Sequence, residues 1–291
     1  MSIPKRIFYV WGAKEPKRTD VNLCIKTWQY AMPDYEIIEI NEESTEYFNF
    51  QKELEENKWF KTVYERKMYA YVSDYVRIKT LYDNGGIYLD TDVTTIKSFE
   101  PFLNEPAFVG LQSDKDITHD IVEPAILGAQ KGNEFLGQIK DFYSQDIWSL
   151  PIYNMPQIFG HFIKINFGNF VNRPREEQEI VRYNSLTIYP ERYFIPFRYG
   201  EKFVPKCIKE DTYSIHWFGA SWIKPEIIFF LENKHIYPVE VIDKKYDLCQ
   251  NSSAKNNFFE NIFSIKNSIN KKFKIVTLLF YKFRIARGNA L

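Results

Sequence analysis

The chain is expected to fold as an α/β protein, Rossmann-like with a mainly parallel central sheet. Three observations predict this: a βαβ pattern at the start, a short apolar strand that ends on two carboxylates, and a length sufficient for a large core. The 291 residues, 45% of them apolar, suit a globular protein. The rings are numerous, with 25 Phe, 20 Tyr and 6 Trp; many must be core, and a surplus of Trp and Tyr also suits sugar faces, nucleobases or a membrane interface.

Arg6 to Trp11 reads as a buried first strand closed by Gly12. Residues 21–31 read as a helix, Met32-Pro33-Asp34-Tyr35 breaks it, and Glu36 to Ile40 reads as a second strand. A polar helical region over 42–57 follows, then one long helix over about 60–83, stopped by Asn84-Gly85-Gly86. Ile87-Tyr88-Leu89 is a short apolar strand ending at Asp90-Thr91-Asp92. Further on, 107–111 reads as a strand, 134–143 as a helix and 212–217 as a late strand. The span 145–200 is rich in Pro and aromatics and suits loops on the acceptor side of a site.

The three cysteines, Cys24, Cys207 and Cys249, are widely spaced, which argues against a disulfide framework and a cysteine zinc site. No apolar h-region follows Met1, and no stretch nears the roughly 18–20 apolar residues of a membrane span. A reducing cytoplasm is the expected home. Net charge is zero, yet residues 255–291 carry eight basic side chains against Glu260 alone. Apolar residues from Phe258 to Phe283 recur there among lysines, so the tail, 241–291, is expected to contain a basic amphipathic helix lying on an anionic membrane. A nucleic-acid partner is not expected.

Two carboxylates spaced as in Asp90-Thr91-Asp92 can diverge at a strand end, one towards a ribose or a metal-bound water, the other onto Mn²⁺ or Mg²⁺. A nucleotide diphosphate supplies further oxygen ligands, and the metal neutralises the leaving charge. The same run also fits the D-x-D-x-T motif of haloacid-dehalogenase-type phosphatases, with Asp90 as nucleophile and Asp92 as acid/base. Such motifs normally open their fold, whereas this one follows some 89 residues of other patterned segments. Asp74 and Arg77, three apart on the long helix, share a face and can pair or project together.

The run Ser73-Asp74-Tyr75-Val76-Arg77 … Leu81 to Val93 resembles the DXD sugar-binding region of glycosyltransferase family 32 and the glucosyltransferase domain of large clostridial toxins. Ile3 to Ile7 with Trp11-Gly12, Thr27-Trp28 with Pro33 to Glu36, and His216-Trp217 with Ser221-Trp222 extend the resemblance over residues 3–222. It implies a GT-A fold, with a catalytic domain at 1–240, its donor site in 3–92 and 212–222, and an acceptor-side insertion at about 112–205. It implies a retaining, metal-dependent hexosyltransferase using a nucleotide-sugar, UDP-sugar first, and a glycan or lipid-linked glycan acceptor. A bacterial surface-polysaccharide enzyme, peripheral at the inner membrane face, is the expectation, with a toxin-like protein glycosyltransferase as the near alternative. Trp11 would stack on the base, Asp74 and Arg77 hold sugar and ribose hydroxyls, and Asp90 contact ribose and sugar. Asp92, Asp90 and His216 would hold the metal, and Ser221 and Trp222 meet the diphosphate, with Gly86, Tyr88 and Thr91 completing the donor site. The sequence departs from the family at Glu123-Pro124, where an Asn is frequent, and at Met155-Pro156, where Gly-Pro is common.

Overall fold

The computed structural model describes residues 2–112, 122–170, 173–219 and 224–253, and the segments 263–267, 273–278 and 281–286. Its elements in order are β1 (Arg6–Val10), α1 (Thr19–Ala31), β2 (Glu36–Ile40), α2 (Phe50–Glu56), α3 (Lys58–Glu65), α4 (Tyr69–Asn84), β3 (Gly86–Leu89), β4 (Val93–Thr95), β5 (Ala107–Leu111) and β6 (Val122–Ala129). They continue with α5 (Glu134–Ser144), α6 (Met155–Phe167), β7 (Val181–Arg182), β8 (Thr187–Tyr189), α7 (Glu191–Phe194) and β9 (Ser214–His216). Beyond these lie α8 (Pro225–Asn233), α9 (Val239–Ser253), β10 (Phe263–Asn267), β11 (Phe273–Leu278) and β12 (Tyr281–Ala286). Two compact units result, Met1–Ile223 and Lys224–Leu291.

The first unit is built on a seven-stranded sheet in the order β2-β1-β3-β6-β5-β8-β7. β2, β1 and β3 are parallel, β6 runs against β3 and β5, β8 is parallel to β5, and β7 is antiparallel to β8. Five strands therefore point one way and two the other, the mainly parallel sheet that the sequence predicts. The carboxyl ends of β1, β2 and β3 meet at one edge, the usual place for a ligand in an open α/β sheet. α1 buries Val21, Cys24 and Trp28, a stripe at helical spacing. The Trp28 indole donates to the Val93 carbonyl at 2.7 Å, and the Thr27 hydroxyl accepts from the Thr95 amide at 3.0 Å. α1 thus clamps both ends of β4, the strand that follows the two carboxylates.

The chain ends the single long helix expected over 60–83 at Glu65 and starts a second at Tyr69. Lys67 takes a left-handed φ of 56°, its amide bonds Tyr64 O and the Met68 amide bonds Val63 O. This is the paired 6→1 and 5→2 closure of a helix C-terminus, and it turns the chain so that α4 starts afresh. The polar helix expected over 42–57 shrinks to α2. The Asn41 carboxamide accepts from the Glu43 amide and the Ser44 hydroxyl from the Asn41 amide, so side chains there compete with helical bonding. β6 is an unforeseen central strand, and β8 places part of the presumed loop span 145–200 inside the sheet.

Among the described residues no helix is long and apolar enough to cross a membrane. The amphipathic helix expected in the tail is not what forms: β10, β11 and β12 make an antiparallel three-stranded sheet. Its register aligns Phe263, Leu278 and Tyr281 in one row and Ile265, Val276 and Phe283 in the next but one. Tyr281-Lys282-Phe283-Arg284-Ile285 alternates with period two, which suits a strand better than a helix.

Candidate active site

The site is assembled where β3 ends. α4 brings Arg77 inward on its buried face, although an arginine there costs desolvation unless it is paired. It is paired fully. Its guanidinium lies 2.9 Å from the Asp90 carboxylate and 3.1 Å from that of Asp74, donates to the Pro124 carbonyl at 2.6 Å, and stacks 4.5 Å over the Tyr88 ring. One cation therefore fixes α4, β3 and β6 to one another.

β6 reaches Arg77 because its pairing with β5 shifts register between Val109 and Gly110. Pro124, which has no N–H to give a ladder, sits at that irregularity, where proline is tolerated within a sheet. The freed carbonyls turn to the site: Pro124 O accepts from Arg77, and Ala125 O accepts from the Asp90 amide at 2.9 Å. Glu123, immediately before them, is the one residue of β6 that is not buried.

After Asp90 the chain turns, the Val93 amide bonding Asp90 O at 3.0 Å, and β4 pairs antiparallel with β9. That pairing sets Val93 opposite His216 and so carries a histidine from a distant part of the sequence to the carboxylates. His216 Nε2 lies 3.3 Å from Asp92, whose other oxygen accepts from the Gly219 amide at 2.7 Å. Ligand atoms of Asp90, Asp92 and His216 all lie within 4.8 Å of one another. His216 Nδ1 is buried without a hydrogen-bond partner.

The charges explain what such a cluster lacks. Four carboxylates (Asp74, Asp90, Asp92 and Glu123) face Arg77 and His216. Burial lifts Asp74 to about 7 against the pull of Arg77, and lifts Asp90 and Glu123 above their ordinary values. Burial opposes ionisation of Asp92 too, but the His216 hydrogen bond and charge and the Gly219 amide outweigh it and hold that carboxyl at about 2. His216 is lifted in turn: burial disfavours its cation, and Asp92, Glu123 and Asp90 more than compensate. The cluster is short of positive charge. A divalent cation would fit that deficit, and Asp90, Asp92 and His216 are the residues that could hold it.

Residues 18–109 match the family described as glycosyltransferase sugar-binding region containing DXD motif. This stretch is similar to a DXD-type sugar-binding region. Over 139 residues the chain is 33% identical to inositol phosphoceramide mannosyltransferase 3 of Schizosaccharomyces pombe, a match covering 47% of this chain and 36% of that protein. The match thus spans about a third of the relative's length. Among solved structures, the PaToxG glycosyltransferase is similar at 17% identity and a TM-score of 0.45, over 57% of this chain and 70% of that one. The galactosyltransferase LgtC, in complex with donor and acceptor sugar analogues, is similar at 12% identity and a TM-score of 0.39, over 82% and 95%.

Within the matched stretch Asp74, Arg77, Tyr88, Asp90 and Asp92 come together, and His216 joins them from β9. Tyr88 is buried behind Arg77, its ring against the guanidinium. Thr91 is half-buried between the two aspartates. Trp11 stands at the end of β1, half-buried, its indole N–H donating to the Glu15 carbonyl at 2.7 Å. Gly86 lies at the far end of β3 from Asp90. Its φ is 131°, and a Cβ there would stand 2.8 Å from the Phe8 ring, so its role is to let that ring in. Ser221 and Trp222 lie outside the described residues. Glu123 was not among the expected site residues; its signal was the departure from the family's Asn.

Proposed function

We propose that the protein is a metal-dependent, retaining glycosyltransferase that moves a hexose or N-acetylhexosamine from a nucleotide-sugar, UDP-sugar first, to a glycan or lipid-linked glycan. The observation that carries this reading is the Asp90–Asp92–His216 cluster at the carboxyl edge of β3, its two aspartates within the stretch similar to a DXD sugar-binding region. Asp90, Asp92 and His216 would hold Mn²⁺ or Mg²⁺, which supplies positive charge to the departing diphosphate. Asp74 would orient sugar and ribose hydroxyls, and Arg77, its N–H groups already engaged, would contribute by locking Asp74 and Asp90 in place. Trp11 would give a flat face to the base. The acceptor hydroxyl attacks C1 from the side the diphosphate leaves, the C1–O bond to phosphate breaks, and the hydroxyl proton passes to the leaving phosphate. That order of bonds retains configuration without a protein nucleophile.

The similarity to a protein named as an inositol phosphoceramide mannosyltransferase supports a lipid-linked acceptor, and we propose surface-glycan synthesis at the cytoplasmic face of a membrane as its setting. The net positive charge of 255–291 supports contact of that tail with anionic lipid. A phosphatase is disfavoured, because its D-x-D-x-T motif would open the fold, whereas Asp90 follows β1 to β3 and α1 to α4. The test is a thermal-shift screen of UDP- and GDP-sugars with and without Mn²⁺, on wild type and Asp92→Asn. A donor at about 100 times its Kd adds roughly 2.7 kcal/mol of stability. A Mn²⁺-dependent shift that Asp92→Asn abolishes is expected; no shift with any nucleotide-sugar overturns the reading.

A further inference from the structure

The segment between α7 and β9 carries an unusual surface. Tyr199 is 62% exposed, Trp217 41%, Ile208 37% and Val204 36%. Solvent-facing rings and aliphatics in one neighbourhood cost free energy and mark contact sites on a soluble face. Lys202, Lys206 and Lys209 stand exposed among them. From 199 to 209 the only carboxylate is Glu201, and it is taken up by Arg175 at 2.9 Å and by the Arg198 amide at 2.9 Å. Glu210 stands exposed beside Lys209, so the three lysines present a positive charge reduced by that one carboxylate beside the apolar residues.

The surface is built, and it is continuous with the site. Phe203 packs 5.1 Å from Trp217 and 5.6 Å from Phe197, which anchors the segment from beneath. The Trp217 indole donates to Thr94 at 3.0 Å, and its amide bonds the Asp92 carbonyl at 3.0 Å. Phe218 links Tyr199, at 6.0 Å, to His216, at 4.3 Å. Whatever rests on this patch is held within a few side chains of the Asp90–Asp92–His216 cluster.

We infer that Tyr199, Val204, Ile208 and Trp217, with Lys202, Lys206 and Lys209, form an interfacial patch that seats the first unit on an anionic lipid bilayer beside the site. Tyr and Trp have the amphipathic rings that settle at the headgroup level, the aliphatics enter the acyl boundary, and lysines meet anionic headgroups. A soluble glycan would use ring faces and hydrogen-bonding side chains but has no need of Val204 and Ile208 in the open. This surface is separate in sequence from the basic tail. It rests on the proposed glycosyl transfer only for its purpose, which is to bring a lipid-linked acceptor to the donor site; the vesicle binding stands alone.

The test uses the full chain and vesicles of phosphatidylcholine, alone or mixed with phosphatidylglycerol, in a sedimentation assay. Wild type is expected to bind the mixed vesicles and to weaken as salt rises. The triple variant K202E/K206E/K209E is expected to bind them at least about tenfold more weakly, since each cation near an anionic surface contributes and each reversal repels. Y199S/I208S removes the apolar share and should also weaken binding, while its exposed positions leave the melting temperature near that of wild type. Hydrolysis of a nucleotide-sugar without vesicles is measured in parallel and should be unchanged in both variants. Binding of the triple variant within about twofold of wild type overturns the inference. So does a parallel fall in hydrolysis, which would make the segment part of the donor site. A chain that never hydrolyses a donor but shows the vesicle result would refute the proposed function and leave the patch intact.

Discussion

Arg77→Met removes the guanidinium while keeping a long apolar stem over Tyr88, so it isolates the charge. In the native chain the guanidinium, itself only 4% exposed, serves Asp90 at 2.9 Å, Asp74 at 3.1 Å and the Pro124 carbonyl at 2.6 Å. Breaking a buried ion pair from one side costs about 3–5 kcal/mol, and the stranded Pro124 carbonyl contributes to the upper end. Asp74 limits the damage, because its carboxyl already titrates at about 7 and takes a proton cheaply. The expected loss is about 3–5 kcal/mol near neutral pH, a fall of roughly 6–20 °C in melting temperature at the usual 2–4 °C per kcal/mol for a domain of this size. Urea unfolding in the presence of a chelator measures it, with the slope against urea showing that the unfolded state is unchanged. The loss should shrink on acidification: without Arg77 the native carboxylates bind protons more readily than the unfolded ones, so stability falls as pH rises. Lys5→Met is the control, since its contacts with Asp34 and Glu100 lie on the surface and should hardly move the midpoint. A loss below about 1 kcal/mol for Arg77→Met would refute the view that this one cation ties α4, β3 and β6 together.

Asp74→Asn should gain stability relative to wild type as pH rises. The native carboxyl at about 7 holds its proton longer than an unfolded one at about 3.9, so its favourable contribution is full in acid and is lost on the way to neutrality; equal pH profiles for the two proteins in chemical denaturation would contradict this. Glu123→Gln takes one negative charge from the cluster and should weaken Mn²⁺ binding by about two- to tenfold in calorimetry, with an unchanged affinity placing Glu123 outside the ion's reach. Gly128→Ala puts a Cβ 2.1 Å from Phe108 Cε1 and should cost about 1–3 kcal/mol, partly recovered by adding Phe108→Leu, as a thermal melt of the single and double variants would show.

Much of this chain is governed by local rules and is legible in its sequence. The opening βαβ, the strands at 36–40 and 107–111, the helix near 134–144 and the stop at Gly85 agree within a residue or two with periodicity and turn chemistry. Asp90, Asp92, Asp74 and Arg77 are legible because they lie within twenty residues of one another on a helix, a glycine turn and a strand. Where local signals conflict with what the chain does later, the sequence misleads. The helix break at Lys67 rests on one left-handed residue that need not be glycine. The tail mixes period two with helical spacing, and strand pairing decided between them.

His216 reaches Asp92 only because β9 pairs with β4, and Glu123 borders the cluster only because β6 threads between β3 and β5 with a shifted register. Spacing along the chain carries no trace of such contacts, since hydrogen bonds between distant strands depend on the whole sheet closing. Composition named the atoms that can bind a metal or a sugar. The excess of half-buried carboxylate over cation exists only once the sheet has brought those atoms together.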